Sequence, residues 1–227
     1  MRNPSATPID LRIRNQSFIG PRLHHPSSPT AVTVRSVDTP EYRDRAARLL
    51  ERRYRWRGYG HSSLPPERHP QRCTLAAEDP QRLLGTLTVA FDGPDGLNCD
   101  ALFGAEVSAL RAAGAKVCEF SRLAVDTTGR QSGGVLTALF HAAYTMAHLD
   151  CGCDTLLAEV HPRHVRYYER MFGAELLAAQ RHHPGVNAPA VLLSLSLAEL
   201  AALARQAEQD GFVDRARCRN RLPRALS

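Results

Sequence analysis

"KVCEFSRLAVD", Lys116–Asp126, has the apolar residues of a buried strand, yet carries Glu119, Ser121 and Arg122 at its centre. The valines, Phe120 and Leu123 predict a strand in a sheet covered by helices. An ionised group left unpaired in an apolar interior costs roughly several kcal/mol or more, so such a strand is either half exposed or lines a cleft. We read it as lining a cleft. Residues two apart share a face of a strand, so Glu119 and Ser121 point the same way, whereas regular pleating turns Arg122 to the other side. Only a β-bulge would alter that relation.

Upstream of this stretch, "AVTVRSV" reads as a strand with Val32, Val34 and Val37. Thr39 and Pro40 then supply an N-cap and a first helical residue for "EYRDRAARLLERRYRW". After the loop "GYGHSSLPPERHPQ", the segments "RCTLAAED" and "RLLGTLTVAFD" flank a turn at Pro80 and predict a hairpin. A helix through Phe103, Val107 and Leu110 leads into the central strand.

Downstream, "TTGRQSGG" reads as a glycine-rich turn before the helix "VLTALFHAAYTMAHL". Strand "TLLAEV", helix "RHVRYYERMF", strands near "ELLAAQR" and "AVLLSLSL", and a helix "LAELAALARQAEQ" follow. The fold class is therefore α/β, a mixed sheet with helices on its faces. A doubly wound dinucleotide fold is excluded, because the elements do not alternate from the start and GxGxxG does not follow the first strand. Residues 1–28 show no periodicity and are expected to be a flexible extension, 29–210 the folded domain, and 211–227 a basic tail.

At 227 residues the chain suits one domain. The net charge of +6 comes from arginine, since Lys116 is the single lysine. Arginines cluster at Arg52, Arg53, Arg55 and Arg57, and again from Arg215 to Arg224. This balance permits an acidic partner. Nucleic acid fits poorly, because the two clusters are separate and lack a recognised binding motif.

The six cysteines are scattered and are expected to be free thiols. His-His-Pro occurs at His24–Pro26 and His182–Pro184, in surroundings that look like loops and without partners at ligand spacing, so no metal is assigned. No window reaches bilayer-spanning length and the opening residues lack a signal-peptide centre, so a cytoplasmic protein is expected.

The glycines of "GRQSGG" leave N–H groups at a helix start able to approach an anionic ligand, though no Walker ending follows. Arg130-x-x-Gly133-Gly134 resembles the Q/R-x-x-G-x-G/A loop of the GNAT acyltransferase superfamily, with Val135 in the last small position. Glu119, eleven residues earlier, resembles the general-base glutamate of some members. "HPRHVRYYERMFGA" is similar to the family's Asn-to-Tyr strand-to-helix motif, with His161 for Asn and Tyr168 in the tyrosine position.

"CEFSRLAVD" resembles the E-x-S-R strand of acyl-homoserine lactone synthases, as "RRYRWRGY" resembles their arginine-and-aromatic segment. Together with "VLTALFHAAY", these stretches look closest to long-chain N-acyl amino acid synthases, over about residues 45–175.

The resemblance implies a GNAT-like, largely antiparallel sheet with a bulged, splayed central strand pair. It also implies transfer of a fatty acyl chain from acyl carrier protein, or from coenzyme A, to the amine of an amino acid. No tightly bound cofactor is expected beyond that thioester donor, and the N-acyl product would associate with membranes. Glu119 would be the general base, with Ser121 beside it, and Tyr168 the acid for the leaving thiolate. Arg122 would grip the acceptor through its planar fork, or form a salt bridge that anchors the N-terminal segment over the cleft.

Trp56, Tyr59 and Arg53 would form a lid or channel wall, and the arginines would meet the acidic carrier. Leu123, Val125, Arg130, Gly133, Gly134, His161 and Arg163 would hold the pantetheine arm. For Glu119 the duller alternative is an arginine pair, and for Tyr168 a backbone hydrogen bond, with Tyr167 adjacent. Rival functions are short-chain acetyl transfer from coenzyme A, acyl-homoserine lactone synthesis, and a thioester-binding module without turnover.

Overall fold

A computed structural model describes residues 18–19, 32–59, 62–66, 69–126 and 130–200. Among the described residues, eight strands form one sheet in the order β1-β2-β3-β4-β5-β6-β8-β7. They are β1 (Phe18–Ile19), β2 (Thr33–Ser36), β3 (Arg72–Glu78), β4 (Leu83–Phe91), β5 (Val117–Val125), β6 (Thr155–Val160), β7 (Glu175–His183) and β8 (Ala188–Ser196). The pairings are antiparallel except for β5 with β6. The expected hairpin is β3–β4, closed where the backbone N–H groups of Gln81 and Arg82 donate to the Asp79 carboxylate.

Helix α1 (Pro40–Trp56) starts as its sequence dictates: Tyr42 N–H donates to Thr39 Oγ1 at 3.3 Å and Pro40 takes the first turn, where a missing N–H costs nothing. Leu49, Leu50 and Ala46 bury its inner stripe against Ala76, Leu83 and Ala124. Helix α2 (Asp100–Ala112) covers the neighbouring part of the same face through Phe103 and Val107, packed on Val117, Leu157 and Leu192.

Helix α3 (Arg130–Tyr144), continued by a π-helical stretch Thr145–Asp150, lies on the opposite face with Val135, Leu139 and Ala143 buried. It can approach so closely because of Gly85: a Cβ there would come within 2.9 Å of the Ala124 carbonyl and 3.1 Å of Val135. A short 3-10 turn, Pro162–His164, leads into α4 (Val165–Phe172). Gly173, at φ +67°, ends α4 in the left-handed conformation that glycine adopts without Cβ strain.

Three expectations need correction. Phe18–Ile19, inside the stretch expected to be a flexible extension, pairs with Thr33 and Val34; the rest of residues 1–28 and the basic tail lie outside the described residues. "RQSGG" is not a turn but the first turns of α3, so its glycines sit in helix at about 1 kcal/mol each relative to alanine. His182 and His183 belong to β7 rather than to a loop, paired with Pro189 and Ala188. Of the expected closing helix, residues 197–200 are helical and the remainder lies outside the described residues.

Candidate active site

Strands β5 and β6 pair only over Val117–Glu119 against Thr155–Leu157. Beyond Glu119, β5 follows β4 and β6 follows β8, so the sheet forks. The fork is driven from β5. Thr88 pairs with Ser121 and Thr86 with Ala124, which sets Leu87 alone against Arg122 and Leu123 in a β-bulge.

Arg122 sits at φ +52°, a left-handed conformation costing a non-glycine residue about 1–2 kcal/mol. Its surroundings hold it there. Thr86 Oγ1 donates to the Arg122 carbonyl at 3.2 Å, and Arg122 Nε donates to the Ser63 carbonyl at 2.7 Å. The Arg122 side chain thus meets a backbone carbonyl in the loop after α1.

A cavity of about 210 Å³ fills the fork. On the α1 face its wall is polar, with Arg53, Tyr54, Arg57, Tyr59 and Glu159. On the α3 face it is apolar, with Phe120, Leu136, Phe140, Leu156 and Phe172. Phe140 lies 6.1 Å from Phe120 and 5.5 Å from Phe172, ring centre to ring centre, so aromatic packing lines this end.

Several residues singled out in the sequence converge on this cavity: Arg53, Tyr59, Ser121, Arg122, Leu123, Val125, His161 and Tyr168 all line it. Tyr168 is packed 5.8 Å from Phe172, and burial pushes its phenol well above the ordinary tyrosine range, so it is protonated at neutral pH and able to donate. His161 caps the 3-10 turn by accepting from Arg163 N–H at 3.2 Å. Arg163 stands outside the wall and braces it, donating to His164 Nε2 at 3.1 Å and to the Tyr59 hydroxyl at 3.5 Å.

Others are placed differently. Trp56 does not line the cavity; it is 59% exposed, sandwiched near Arg53 and Arg57 at 4.8 and 5.1 Å. Helical pitch explains this, since Trp56 lies about 200° around α1 from Tyr54. Arg130, Gly133 and Gly134 form the first turns of α3, and a Cβ on Gly134 would meet no atom within 4 Å beyond its chain neighbours and its own helix backbone.

Glu119 is 1% exposed and is not part of the cavity wall. Its Oε2 accepts from Asn98 N–H at 2.6 Å, Asn98 Nδ2 at 3.2 Å and Cys99 N–H at 3.4 Å. Cys99, the N-cap of α2, makes no side-chain cap bond, so Glu119 serves as a cap delivered from another element, its charge at the positive end of the helix. Burial still outweighs these bonds and raises its pKa.

Glu159, Tyr54 and His164 escaped the sequence reading. Glu159 is raised to about 7 by burial and by the nearby charge of Glu119. Tyr54 is raised to about 12 by burial, with Arg122 acting the other way. His164 is lowered to about 4 by burial and by Arg163 and Arg57. The signal for Glu159 was present, a carboxylate inside the apolar strand "TLLAEV", the same anomaly that drew attention to Glu119.

A largely antiparallel sheet forked at a bulged central strand, with helices on both faces and a cavity in the fork, defines a GNAT-fold acyltransferase. A protein described as an N-acetyltransferase from Lactobacillus plantarum shares this fold at 17% identity and TM-score 0.53, over 73% of this chain and 98% of its own.

The family model of the N-acyl amino acid synthase FeeM matches residues 45–196, and the chain belongs to that family. It is similar to the structure of FeeM, an N-acyl amino acid synthase from uncultured soil microbes, at 27% identity and TM-score 0.67, over 75% of this chain and 93% of FeeM. No curated protein sequence matches the chain. No helix among the described residues is long and apolar enough to cross a membrane.

Proposed function

We propose that this acyltransferase moves a fatty acyl chain from a carrier-bound phosphopantetheine thioester to the amine of an amino acid. One observation carries the reading: the cavity joins a cationic, phenolic wall to an aromatic and aliphatic one through the fork. The first suits an amino-acid carboxylate. Arg57 is lowered by burial and by the adjacent Arg163, a repulsion that a bound anion relieves. The second suits a hydrocarbon chain, since burial of each methylene is worth about 0.8 kcal/mol.

The thioester would enter along the free edge of β5, which has no strand partner on the β6 side beyond Glu119, so that backbone N–H groups there can hold the developing oxyanion. The pantetheine arm would run past the first turns of α3, whose N–H groups suit an anionic ligand, and Tyr168, which lines the cavity, would protonate the departing sulfur. Arg48, Arg52 and Arg55 are exposed on α1, Arg52 paired with Asp126 and Arg55 with Glu51, and this basic surface would suit an acidic carrier protein.

The test is incubation with acyl carrier protein charged with chains of different length, in parallel with the matching acyl-coenzyme A, and a mixture of amino acids, read by mass spectrometry. Long-chain N-acyl amino acids from the carrier arm are expected. Product from acetyl donors alone would overturn the fatty-acyl reading, and product from the coenzyme A arm alone would overturn the carrier.

A further inference from the structure

We propose that Glu159, on the stretch of β6 that has left its parallel partner, is the group that takes the proton from the attacking amine, with Glu119 as the buried positioning residue beside it. This rests on the acyltransfer reading above. Glu119 and Leu157 are the last residues in parallel register, and Glu159 lies two residues further along β6, on the same face. One carboxylate is therefore fastened inside the sheet and the other stands in the fork.

The accessibility of the two differs. Glu119 Oε2 is engaged by the amides of Asn98 and Cys99, off the cavity wall. Glu159 is part of that wall, opposite Ser121 and Arg122 across the fork. A base must come within hydrogen-bond reach of the proton it removes, and of these two carboxylates only Glu159 borders the space an amine would enter.

Among the described residues, Glu159 interacts with Glu119 on β5, His183 of β7 with Nε2 at 3.4 Å from Oε1, Tyr54 of α1 and Cys99 at the start of α2, and it shares the cavity wall with Arg53, Arg57, Arg122, His161 and His164. Burial, and secondly the like charge of Glu119, raise Glu159 to about 7, where a carboxylate is a stronger base yet still half ionised in neutral solution.

The protons balance as follows. Glu159 accepts one proton from the substrate ammonium, and the free amine attacks the thioester carbonyl, forming the C–N bond. The tetrahedral adduct collapses with breakage of the C–S bond; Tyr168 gives its phenolic proton to the sulfur and recovers the second nitrogen proton, so a thiol leaves and the phenol is restored. Glu159 then releases its proton to solvent, so each turnover yields amide, thiol and one proton.

The experiment compares wild type, Glu159→Gln and Glu119→Gln in turnover with a saturating acyl thioester. Glu159→Gln is expected to lower kcat by about 10²–10⁴-fold with thioester binding retained, and the deficit should shrink with hydroxylamine, which is already unprotonated at neutral pH. Wild-type kcat should rise with pH through about 7, and Glu119→Gln should move that rise to lower pH, because the like charge is gone. This last comparison decides the matter even if Glu159→Gln does not fold.

A loss below about 10²-fold in a folded Glu159→Gln, or a rise unmoved in Glu119→Gln, would overturn the assignment. So would a deficit in Glu159→Gln that is the same with hydroxylamine. A wild-type protein that forms no amide from any thioester would instead overturn the acyltransfer reading beneath it.

Discussion

The Thr86 hydroxyl donates to the carbonyl of Arg122 across 3.2 Å, fastening the one left-handed residue of β5 to the adjacent strand. Thr86 is fully buried, so its hydroxyl has no water to fall back on. This contact holds the bulge that opens the fork.

Thr86→Val keeps the shape and removes the donor. A loss of about 1–2 kcal/mol in unfolding free energy is expected, read by urea denaturation, together with a lower kcat/KM as the bulge loosens. Unchanged stability would show that the hydroxyl does not hold the bulge.

Arg122→Gly separates backbone from side chain. Glycine relieves the left-handed strain, but the bond to the Ser63 carbonyl is lost. Global stability should stay within about 1 kcal/mol, because the two effects oppose. Limited proteolysis should cut faster around residues 62–66. An unaltered cleavage pattern would mean that something else secures this segment.

Leu136 is 7% exposed and faces the apolar end of the cavity from α3. Leu136→Trp would fill that end. Transfer of long chains should fall by about tenfold or more, equivalent to about 1.4 kcal/mol, while short chains retain their rate. A competition assay with mixed chain lengths would measure this, and an equal loss for all lengths would place the chain elsewhere.

Glu159 also leaves a mark on stability. Its folded pKa of about 7 exceeds the ordinary 4.5, so the native state binds the proton more tightly and stability falls as pH rises between these values. Glu159→Gln should match wild type below pH 4.5. It should exceed wild type by about 1–2 kcal/mol at pH 8, after allowance for partial exposure. Denaturation curves across that window test the sign, and equal curves at pH 8 would show that the folded state does not shift this carboxyl.

His164 acts in the opposite sense. Held down to about 4, it is neutral in the folded protein and takes a proton on unfolding. Its contribution is present above the ordinary value of 6.5 and is lost as pH falls towards 4. His164→Asn should flatten the decline of stability over that interval, and a wild-type-like decline would assign the acid sensitivity to other groups.

Local chemistry made much of the architecture legible. The cap at Thr39, the β3–β4 hairpin, the inner stripe of α3 and the succession of strands and helices along the chain follow from short-range periodicity and turn residues, which depend on neighbours in the chain. The anomaly of Glu119, Ser121 and Arg122 in one strand was read as a cleft wall, which Ser121 and Arg122 do form, whereas Glu119 is buried off the cavity.

What tertiary structure alone decided was which polar group meets which space. Glu119 and Glu159 look alike in sequence, each a carboxylate in an apolar strand. The amides of Asn98 and Cys99, more than twenty residues from Glu119 in the first case, draw one into a helix cap, while the parting of β5 from β6 exposes the other. Trp56 and Tyr54 likewise differ by two positions, yet the pitch of α1 sends one to solvent and the other to the cavity. Distant pairing, rather than residue type, sets the solvation of each group, and solvation sets its chemistry.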